Sequence, residues 1–231
     1  MLEEDFLQAL TKEIDIIFLC NPNNPTGLLV EKPLLEKILK RCQELDILMA
    51  VDECFLDFVP SPEKYTLKEY LETYDNLFLL KAFTKRYAMA GVRLGYGLCG
   101  NKGLLRKMEG VCQPWNVSSM AQAAGLAALQ EREYVEKGRQ VTFQELAYLK
   151  EELTALGYPV YPSQANYVFF IGPADLYEKL EQKKILIRDC SNYTGLSKGY
   201  YRVAVKKHEE NQQLVRALKE INRTKVENVI L

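Results

Sequence analysis

Lys85 and Arg93 are the residues whose types and spacing most clearly suggest chemistry. Lys85 is predicted to lie in a short loop after the apolar strand Leu77–Leu80. Arg93 comes eight residues later, within the segment Lys-Ala-Phe-Thr-Lys-Arg-Tyr-Ala-Met-Ala-Gly-Val-Arg-Leu-Gly-Tyr that spans 81–96. A lysine amine forms a Schiff base with a carbonyl compound when it is held in a partly desolvated position, and a nearby arginine can bind an anionic group of the same compound. Most lysines that follow strands are simply solvated, so two further segments are needed to decide.

Both of these segments lie upstream, each after an apolar run. Asn21–Gly27 follows the run 14–20, and its prolines and closing glycine are also typical of a plain turn. Asp52 ends the run Met49–Val51. An aspartate at the carboxyl end of an inner parallel strand lies where open α/β sheets bind ligands, although a helix cap is the commoner role of a single aspartate. The order of these pieces along the chain is more specific than any one of them.

This order resembles the class I/II aminotransferase family, whose members are pyridoxal-phosphate enzymes of fold type I. The resemblance extends from about Asp15 to the last predicted helix. It implies pyridoxal 5′-phosphate as the cofactor, with Lys85 as the catalytic lysine that holds it covalently and moves protons at the substrate Cα. It implies that Asp52 pairs with the pyridine nitrogen, whose pKa an adjacent carboxylate raises.

The resemblance also implies the other cofactor contacts. Asn24 would bind the phenolic oxygen of the cofactor and lie near the substrate, and Thr84 and Arg93 would hold the phosphate. The sequence departs from the family at two positions, because Phe55 stands where many relatives have tyrosine and Ala82 where many have serine. We therefore expect fewer protein contacts to the phosphate than is usual in the family.

The front of the family's large domain has no counterpart in this sequence. That part normally supplies a phosphate-binding loop at a helix N-terminus and the ring that stacks on the pyridine. Residues Leu2–Leu10 instead predict a short acidic amphipathic helix. We expect the chain to be a C-terminal fragment of a longer enzyme, and whether the fragment is active alone stays open.

Composition indicates a globular cytoplasmic protein without a metal. The 231 residues are 48% hydrophobic and 26% charged, enough for one large domain or two modest ones. A net charge of −1 argues against nucleic-acid or membrane-surface partners. No apolar run approaches the roughly 20 residues of a membrane span, and no signal peptide is evident. Six cysteines without a close pair, and His208 as the single histidine, favour reduced thiols over a zinc site.

Hydrophobic periodicity predicts an α/β fold in two parts. Strands near 14–20, 47–52, 76–81 and 94–99 alternate with helices near 33–45 and 66–74, and further helices are expected near 101–109, 118–131 and 132–156. The alternation implies crossovers and a mainly parallel sheet. Strands near 158–161, 166–171, 184–188 and 200–205 then combine with helices near 174–183 and 208–224. We expect an incomplete large domain of the type I pyridoxal-phosphate transferase fold over 1–130, and a small C-terminal α/β domain over 131–231.

Arg188 and Arg202 are the candidate substrate ligands. Each stands in a strand-like segment, where a buried arginine is costly unless it is paired. A structural ion pair or an edge position is the alternative for either one. Two arginines on segments that could be neighbours favour recognition of an anion, because the planar fork binds carboxylate or phosphate through two bonds. In the family, the residue matching Arg202 binds a substrate acid group, and Asn166 matches a position close to it, although a strand start explains Asn166 equally well.

Two groups within the family are similar to this sequence in these motifs. They are the decarboxylases of threonine phosphate in cobalamin synthesis and the aminotransferases of histidinol phosphate. Phe55, Thr84 and the segment Ile187–Tyr193 look more like the decarboxylases. We therefore expect a fragment of an enzyme that converts L-threonine O-3-phosphate to aminopropanol phosphate and is a homodimer at full length. A histidinol-phosphate aminotransferase is the alternative, and a non-catalytic folded fragment or binding module is a third possibility.

Overall fold

The structure is a computed structural model that describes residues 3–227, with side chains described as far as residue 223. The chain divides into two compact units. Met1–Asn23 and Leu29–Val135 form the first unit, and Asn24–Leu28 and Glu136–Leu231 form the second. The predicted assignment of 1–130 to cofactor binding and of 131–231 to substrate binding stays a prediction.

The first unit is built on a four-stranded sheet in the order β1-β2-β3-β4. Its elements are α1 (Glu3–Ala9), β1 (Ile16–Cys20), α2 (Lys32–Glu44), β2 (Leu48–Asp52), β3 (Leu77–Ala82), α3 (Phe83–Arg86), β4 (Gly95–Cys99), α4 (Lys102–Val111) and α5 (Ser119–Ala128), and α6 (Arg132–Ala155) begins in it. The strands β1, β2 and β3 are parallel, and β4 is antiparallel to β3. The prediction of an α/β fold with a mainly parallel sheet is confirmed.

Strand β2 is an inner strand of the sheet, and its side chains lie in the core of the first unit. Met49 and Val51 of β2 are fully buried, and they pack in one cluster with the apolar face of α2 and with β3. The α2 residues of this cluster follow helical spacing: Leu35, Ile38, Leu39 and Cys42. A strand buried on both faces reads as a continuous apolar run, as 47–51 does.

The second unit contains a smaller sheet in the order β5-β7-β6, and both strand pairs are antiparallel. Its elements after α6 are β5 (Tyr167–Ile171), α7 (Leu176–Gln182), β6 (Arg188–Asp189), β7 (Tyr200–Ala204) and α8 (His208–Glu227). Leu149, Leu153 and Leu218 of the two long helices are fully buried in one cluster with Val168 and Phe170 of β5. The helices therefore cover one face of this sheet.

Several predicted elements are wrong. The helix expected near 66–74 is only a 3-10 turn at Lys68–Tyr70. Just before this turn, the Thr66 hydroxyl lies 2.9 Å from Glu53 Oε1, a tertiary contact that periodicity does not indicate. The strand expected near 158–161 is one isolated bridge at Val160, between two prolines that cannot donate to a ladder. The strand near 184–188 shrinks to Arg188–Asp189.

Candidate functional site

Asp52 lies at the carboxyl end of the central strand β2, between β1 and β3. Its Oδ1 accepts the Cys54 amide at 2.9 Å, which fixes the carboxylate where the chain leaves the sheet. Burial raises the pKa of the Cys54 thiol to about 12, and the neighbouring Asp52 adds to this rise. The half-buried Asp52 therefore stands where strand ends of a parallel sheet bind ligands, as the sequence predicts.

Lys85 lies in α3, directly after β3, and not in the loop that the sequence suggests. Its Nζ is 5.7 Å from the centroid of the Phe55 ring. Among the residues that the structure describes, Lys85 takes part in no ion pair, whereas Lys81 Nζ lies 2.7 Å from Glu53 Oε2. Of the two lysines in this segment, Lys85 is therefore the one whose amine is not committed to a carboxylate.

Thr84 and Arg93 flank the same connection between β3 and β4. The Phe83 amide donates to the Leu94 carbonyl at 3.1 Å, so Thr84 and Arg93 stand next to one paired position. Arg93 is exposed and has φ 59°, a left-handed conformation that costs a non-glycine residue about 1 kcal/mol or more. Its guanidinium donates to the Ala90 carbonyl at 3.2 Å. A hydroxyl and an exposed guanidinium on neighbouring backbone positions are the types of group that bind a phosphate.

The donor set of the first unit fits pyridoxal 5′-phosphate. Asp52 supplies an anion for a pyridinium nitrogen, Lys85 an amine for an aldehyde, and Thr84 and Arg93 supply donors for a phosphate. Asp52 ends β2, and Thr84, Lys85 and Arg93 lie in the connection between β3 and β4. The residues present therefore match the cofactor that the sequence resemblance implies.

Arg188 and Arg202 are direct register partners in the antiparallel pair β6–β7. Arg188 donates to Asn192 Oδ1 at 3.0 Å, and its Cζ lies 5.9 Å from the centroid of the Tyr193 ring. Within the described part of the chain, neither arginine takes part in a salt bridge. Arg188 is exposed on the edge strand β6, as the edge position considered from sequence has it, whereas Arg202 lies on the inner strand β7. The two guanidinium groups form a concentration of positive charge that no described carboxylate neutralises by direct pairing.

Asn24 belongs to the second unit and contacts one of these arginines. Its Oδ1 accepts hydrogen bonds from Arg202 and, at 3.3 Å, from the Tyr193 hydroxyl. A guanidinium only donates hydrogen bonds, so the Asn24 atom that faces Arg202 must be the amide oxygen Oδ1. The amide nitrogen Nδ2 of Asn24 is then the atom that can donate to another group. The Cζ of Arg202 also lies 5.0 Å from the centroid of the Tyr167 ring, which holds the side chain from another direction.

Asn166 lies near the start of β5. Its backbone carbonyl accepts the Val205 amide at 2.9 Å, which agrees with a strand-start role. Its Oδ1 is buried and has no hydrogen-bond partner in the described residues. The structure therefore shows the structural role of Asn166, and the substrate role stays a prediction.

Sequence reasoning missed several residues that support the candidates. Glu53 and Lys81 form a buried pair beside the ends of β2 and β3, and Tyr193 contacts both Asn24 and Arg188. An acidic residue directly after Asp52 and a lysine inside an apolar strand were the available signals, since each would be costly if buried alone.

The structure bears on two further classes of site. None of the helices within 3–227 combines the length and apolar character that a membrane span needs. Among the same residues, no group of three or more His, Cys, Asp or Glu side chains is arranged to hold a metal ion.

Comparison with known proteins gives a consistent family. The model of the family described as aminotransferase class I and II matches residues 2–218. The chain is 38% identical over 224 residues to threonine-phosphate decarboxylase of Salmonella typhimurium, covering 95% of this chain and 61% of that protein. It is 32% identical over 224 residues to histidinol-phosphate aminotransferase of Methanococcus aeolicus, covering 94% and 59%. The chain thus spans about 60% of the length of these curated relatives.

Solved structures show the same likeness. The histidinol-phosphate aminotransferase from Clostridium acetobutylicum is 31% identical with a TM-score of 0.91, covering 96% of this chain and 68% of that one. The L-threonine-O-3-phosphate decarboxylase from Porphyromonas gingivalis is 25% identical with a TM-score of 0.78, covering 90% and 64%.

Proposed function

Because the chain belongs to the class I and II aminotransferase family, whose cofactor is pyridoxal 5′-phosphate, we propose that it is part of a decarboxylase of L-threonine O-3-phosphate. The observation that carries the proposal is that Arg188 and Arg202 occupy directly opposite positions on the neighbouring strands β6 and β7. This substrate has two anionic groups, a carboxylate and a phosphate, and each arginine can bind one of them through two hydrogen bonds. The likeness to threonine-phosphate decarboxylase of Salmonella typhimurium supports this choice.

The cofactor contacts follow from the chemistry of each side chain. Pyridoxal phosphate, when bound, accepts the electron pair that develops at the substrate Cα. Asp52 would keep the pyridine nitrogen protonated, because an adjacent anion favours its charged form. Lys85 would hold the aldehyde carbon, and Thr84 and Arg93 would bind the phosphate. Asn24 would donate from Nδ2 to the phenolic oxygen, since its Oδ1 already accepts from Arg202.

The arginines would select the bond that breaks. A substrate whose carboxylate and phosphate are both held has a fixed orientation about Cα, and orientation is a large part of catalysis. In a decarboxylase the arginines would orient the substrate so that the bond from Cα to the carboxylate is the one that breaks, and carbon dioxide would leave. Lys85 would then deliver a proton to Cα. The product is aminopropanol phosphate, which keeps the amine and the phosphate.

A histidinol-phosphate aminotransferase is the second candidate function. The TM-score of 0.91 to such an enzyme from Clostridium acetobutylicum favours it. In that reaction the same residues would orient the substrate so that its Cα–H bond breaks, and Lys85 would take up that proton. Phe55 is the feature against this candidate, because the resemblance leads us to expect tyrosine there more often in histidinol-phosphate enzymes.

The assembly, location and pathway follow from the family resemblance. We propose that the full-length protein is a homodimer in the cytoplasm and contributes to cobalamin synthesis. The substrates of both candidate functions are small phosphorylated amino acids or amines. A positively charged pair of arginines beside one Asn carboxamide suits substrates of this class.

One experiment in two stages tests the proposal. The chain is mixed with pyridoxal phosphate, its visible spectrum is recorded, and the protein is reduced with borohydride so that peptide mass locates the adduct. We expect the adduct on Lys85, with Lys85→Met as the control that removes it. An adduct spread over surface lysines would contradict the cofactor assignment.

The second stage adds L-threonine O-3-phosphate without any 2-oxo acid. We expect release of carbon dioxide and formation of aminopropanol phosphate. Strict dependence on 2-oxoglutarate would instead identify an aminotransferase. Cofactor bound on Lys85 without turnover of either substrate would identify a non-catalytic module.

A further inference from the structure

The buried carboxylate of Glu53 is the strongest unassigned feature of the first unit. Its side chain is 0% exposed. Lys81 Nζ lies 2.7 Å from Oε2, and the Thr66 hydroxyl lies 2.9 Å from Oε1 and 3.0 Å from Oε2. A buried carboxylate is stable only when it is paired and hydrogen-bonded, and here both conditions are met.

The pair lies where the strand ladder ends. Asp52 is the last register partner on β2, opposite Leu80, and the Glu53 amide donates to the Leu80 carbonyl at 3.0 Å. Glu53 is therefore opposite Lys81, one step beyond Asp52. Successive residues of a strand point to opposite faces, so the ion pair and Asp52 lie on opposite faces of the sheet.

The same pair lies just before Lys85, the proposed catalytic lysine. Lys81 is near the end of β3, and Lys85 follows in α3 after the strand ends at Ala82. Glu53 thus holds the end of β3 through its backbone and through its side chain. The two strands that carry Asp52 and lead to Lys85 are joined at this one point by a charge pair.

We propose that Glu53 and Lys81 are positioning residues that fix Asp52 relative to Lys85. The inference rests on the proposed cofactor role of those two residues. A buried ion pair adds little stability compared with apolar residues of similar size, so stability alone does not explain why charges stand here. A charge pair specifies one register between its partners, which a cofactor held at both its ring nitrogen and its aldehyde requires.

The test compares three proteins with the unmodified chain. Glu53→Leu combined with Lys81→Met removes both charges and leaves no carboxylate buried without a partner. Lys81→Arg keeps the pair. Lys32→Met combined with Glu69→Leu is the matched control, since Lys32 and Glu69 form a more exposed pair at 2.7 Å in the same unit.

Three quantities are measured for each folded protein. The first is amide hydrogen exchange of the 82–88 segment without cofactor, and the second is the dissociation constant of pyridoxal phosphate. The third is the pH midpoint of the visible absorption of the bound cofactor. For the Glu53→Leu/Lys81→Met protein we expect faster exchange, binding weaker by about tenfold or more, and a displaced midpoint. We expect Lys81→Arg and the control pair to stay within about threefold of the unmodified chain.

The outcomes separate this inference from the proposed function. The inference is overturned if the folded Glu53→Leu/Lys81→Met protein exchanges the amide hydrogens of the 82–88 segment at the same rate as the unmodified chain. Altered exchange with an unchanged dissociation constant and pH midpoint also overturns it, because the pair is then only structural. If the unmodified chain fails to bind pyridoxal phosphate on Lys85, the proposed function fails, and the cofactor-directed role of the pair fails with it.

Discussion

Arg188 lies directly opposite Arg202 across the antiparallel strands β6 and β7, so two like charges share one face of this sheet. Opposed like charges destabilise a sheet pair by a fraction of a kcal/mol to about 1 kcal/mol. Asn192 and the Tyr193 ring hold Arg188, and Asn24 and the Tyr167 ring hold Arg202. This arrangement is unfavourable for folding alone, and we expect it to become favourable when an anionic substrate binds, as the proposed function requires.

Arg188→Gln therefore has opposite effects on stability and on binding. We expect the free energy of unfolding to stay equal or to rise by up to about 1 kcal/mol, because a like-charge contact is removed. We expect the affinity for L-threonine O-3-phosphate to fall by about 10- to 100-fold, the value of a charge-assisted bond. Urea unfolding and a ligand titration measure the two effects. Arg216→Gln on the exposed face of α8 is the control, and an unchanged affinity in Arg188→Gln would remove this arginine from the site.

Lys85 and Lys81 are expected to differ completely in their reaction with pyridoxal phosphate. Lys81 is paired with the buried Glu53, and Lys85 is in no ion pair among the described residues. After borohydride reduction, we expect Lys81→Arg to carry the adduct on Lys85 as the unmodified chain does. Lys85→Arg should carry none at a single site. Peptide mass decides, and an adduct on Lys81 in either protein would contradict the assignment.

Breaking the Glu53–Lys81 pair on one side is expected to be more costly than removing it whole. Lys81→Met leaves a buried carboxylate without its cation, which costs about 3–5 kcal/mol. Adding Glu53→Leu to the same protein should restore most of that loss. Denaturant unfolding at neutral pH measures both. Equal stabilities of the single and double variants would show that the carboxylate is not buried as an ion.

Substitutions of Gly27 and Gly157 separate the cost of steric overlap from the cost of a left-handed backbone conformation. Both have positive φ, at 72° and 82°. A Cβ on Gly27 would lie 1.8 Å from Ser163 Oγ and 2.6 Å from its Cβ, whereas a Cβ on Gly157 meets nothing within 4 Å. We expect Gly157→Ala to cost about 1 kcal/mol, from conformation alone. Gly27→Ala should cost about 2–4 kcal/mol, because overpacking is added.

The unfolding free energies of these two variants provide the comparison. Similar losses would mean that Ser163 moves aside at little cost. A larger loss for Gly27→Ala would show that the segment Asn24–Leu28 is closely packed within the second unit.

Cys42 is expected to make stability fall at high pH. Burial raises the pKa of this fully buried thiol from 9.0 to about 11. Between about pH 9 and about pH 11, the Cys42 thiol therefore keeps its proton in the folded protein but has lost it in the unfolded chain. The resulting stability is complete below about pH 9 and is lost as the pH rises through about 11.

Cys42→Ala tests this pH dependence, with the exposed Cys112→Ala as the control. We expect Cys42→Ala to be less stable than the unmodified chain at neutral pH, because it leaves a cavity, but to lose less stability between about pH 9 and about pH 11. Urea unfolding across this range measures the slope. If the free energies of unfolding of Cys42→Ala and of the unmodified chain fall in parallel with pH, Cys42 is not the group responsible.

The sequence predicts the parallel sheet well because its strands are strongly patterned. The run 47–52 is apolar and ends in Asp52, so both the strand and the position of the acid were accessible. The resemblance to the family was also accessible, and the match over residues 2–218 confirms it. The opposition of Arg188 and Arg202 was considered from sequence, but their register depends on how the irregular connection between β6 and β7 folds, which local periodicity does not encode.

Other features were inaccessible because tertiary contacts decide them. The helix expected near 66–74 is a short 3-10 turn that follows Thr66, and the contact of Thr66 with Glu53 joins residues that local periodicity does not connect. The pairing of Glu53 with Lys81 depends on the register of β2 and β3. The placement of Asn24 with Arg202 joins residues separated by 178 positions, which no local pattern encodes.

The membership of Asn24–Leu28 in the second unit has a consequence for synthesis on the ribosome. Asn24 emerges early, yet its contacts with Tyr193 and Arg202 lie 169 and 178 positions later in the chain. Translation adds about 5–20 residues per second, so this segment waits many seconds for its partners. During that interval the strands on either side of it, β1 and β2, are already available to pair. The nascent chain therefore has to leave this short connection between β1 and α2 without its partners from the second unit until the C-terminal half has been made.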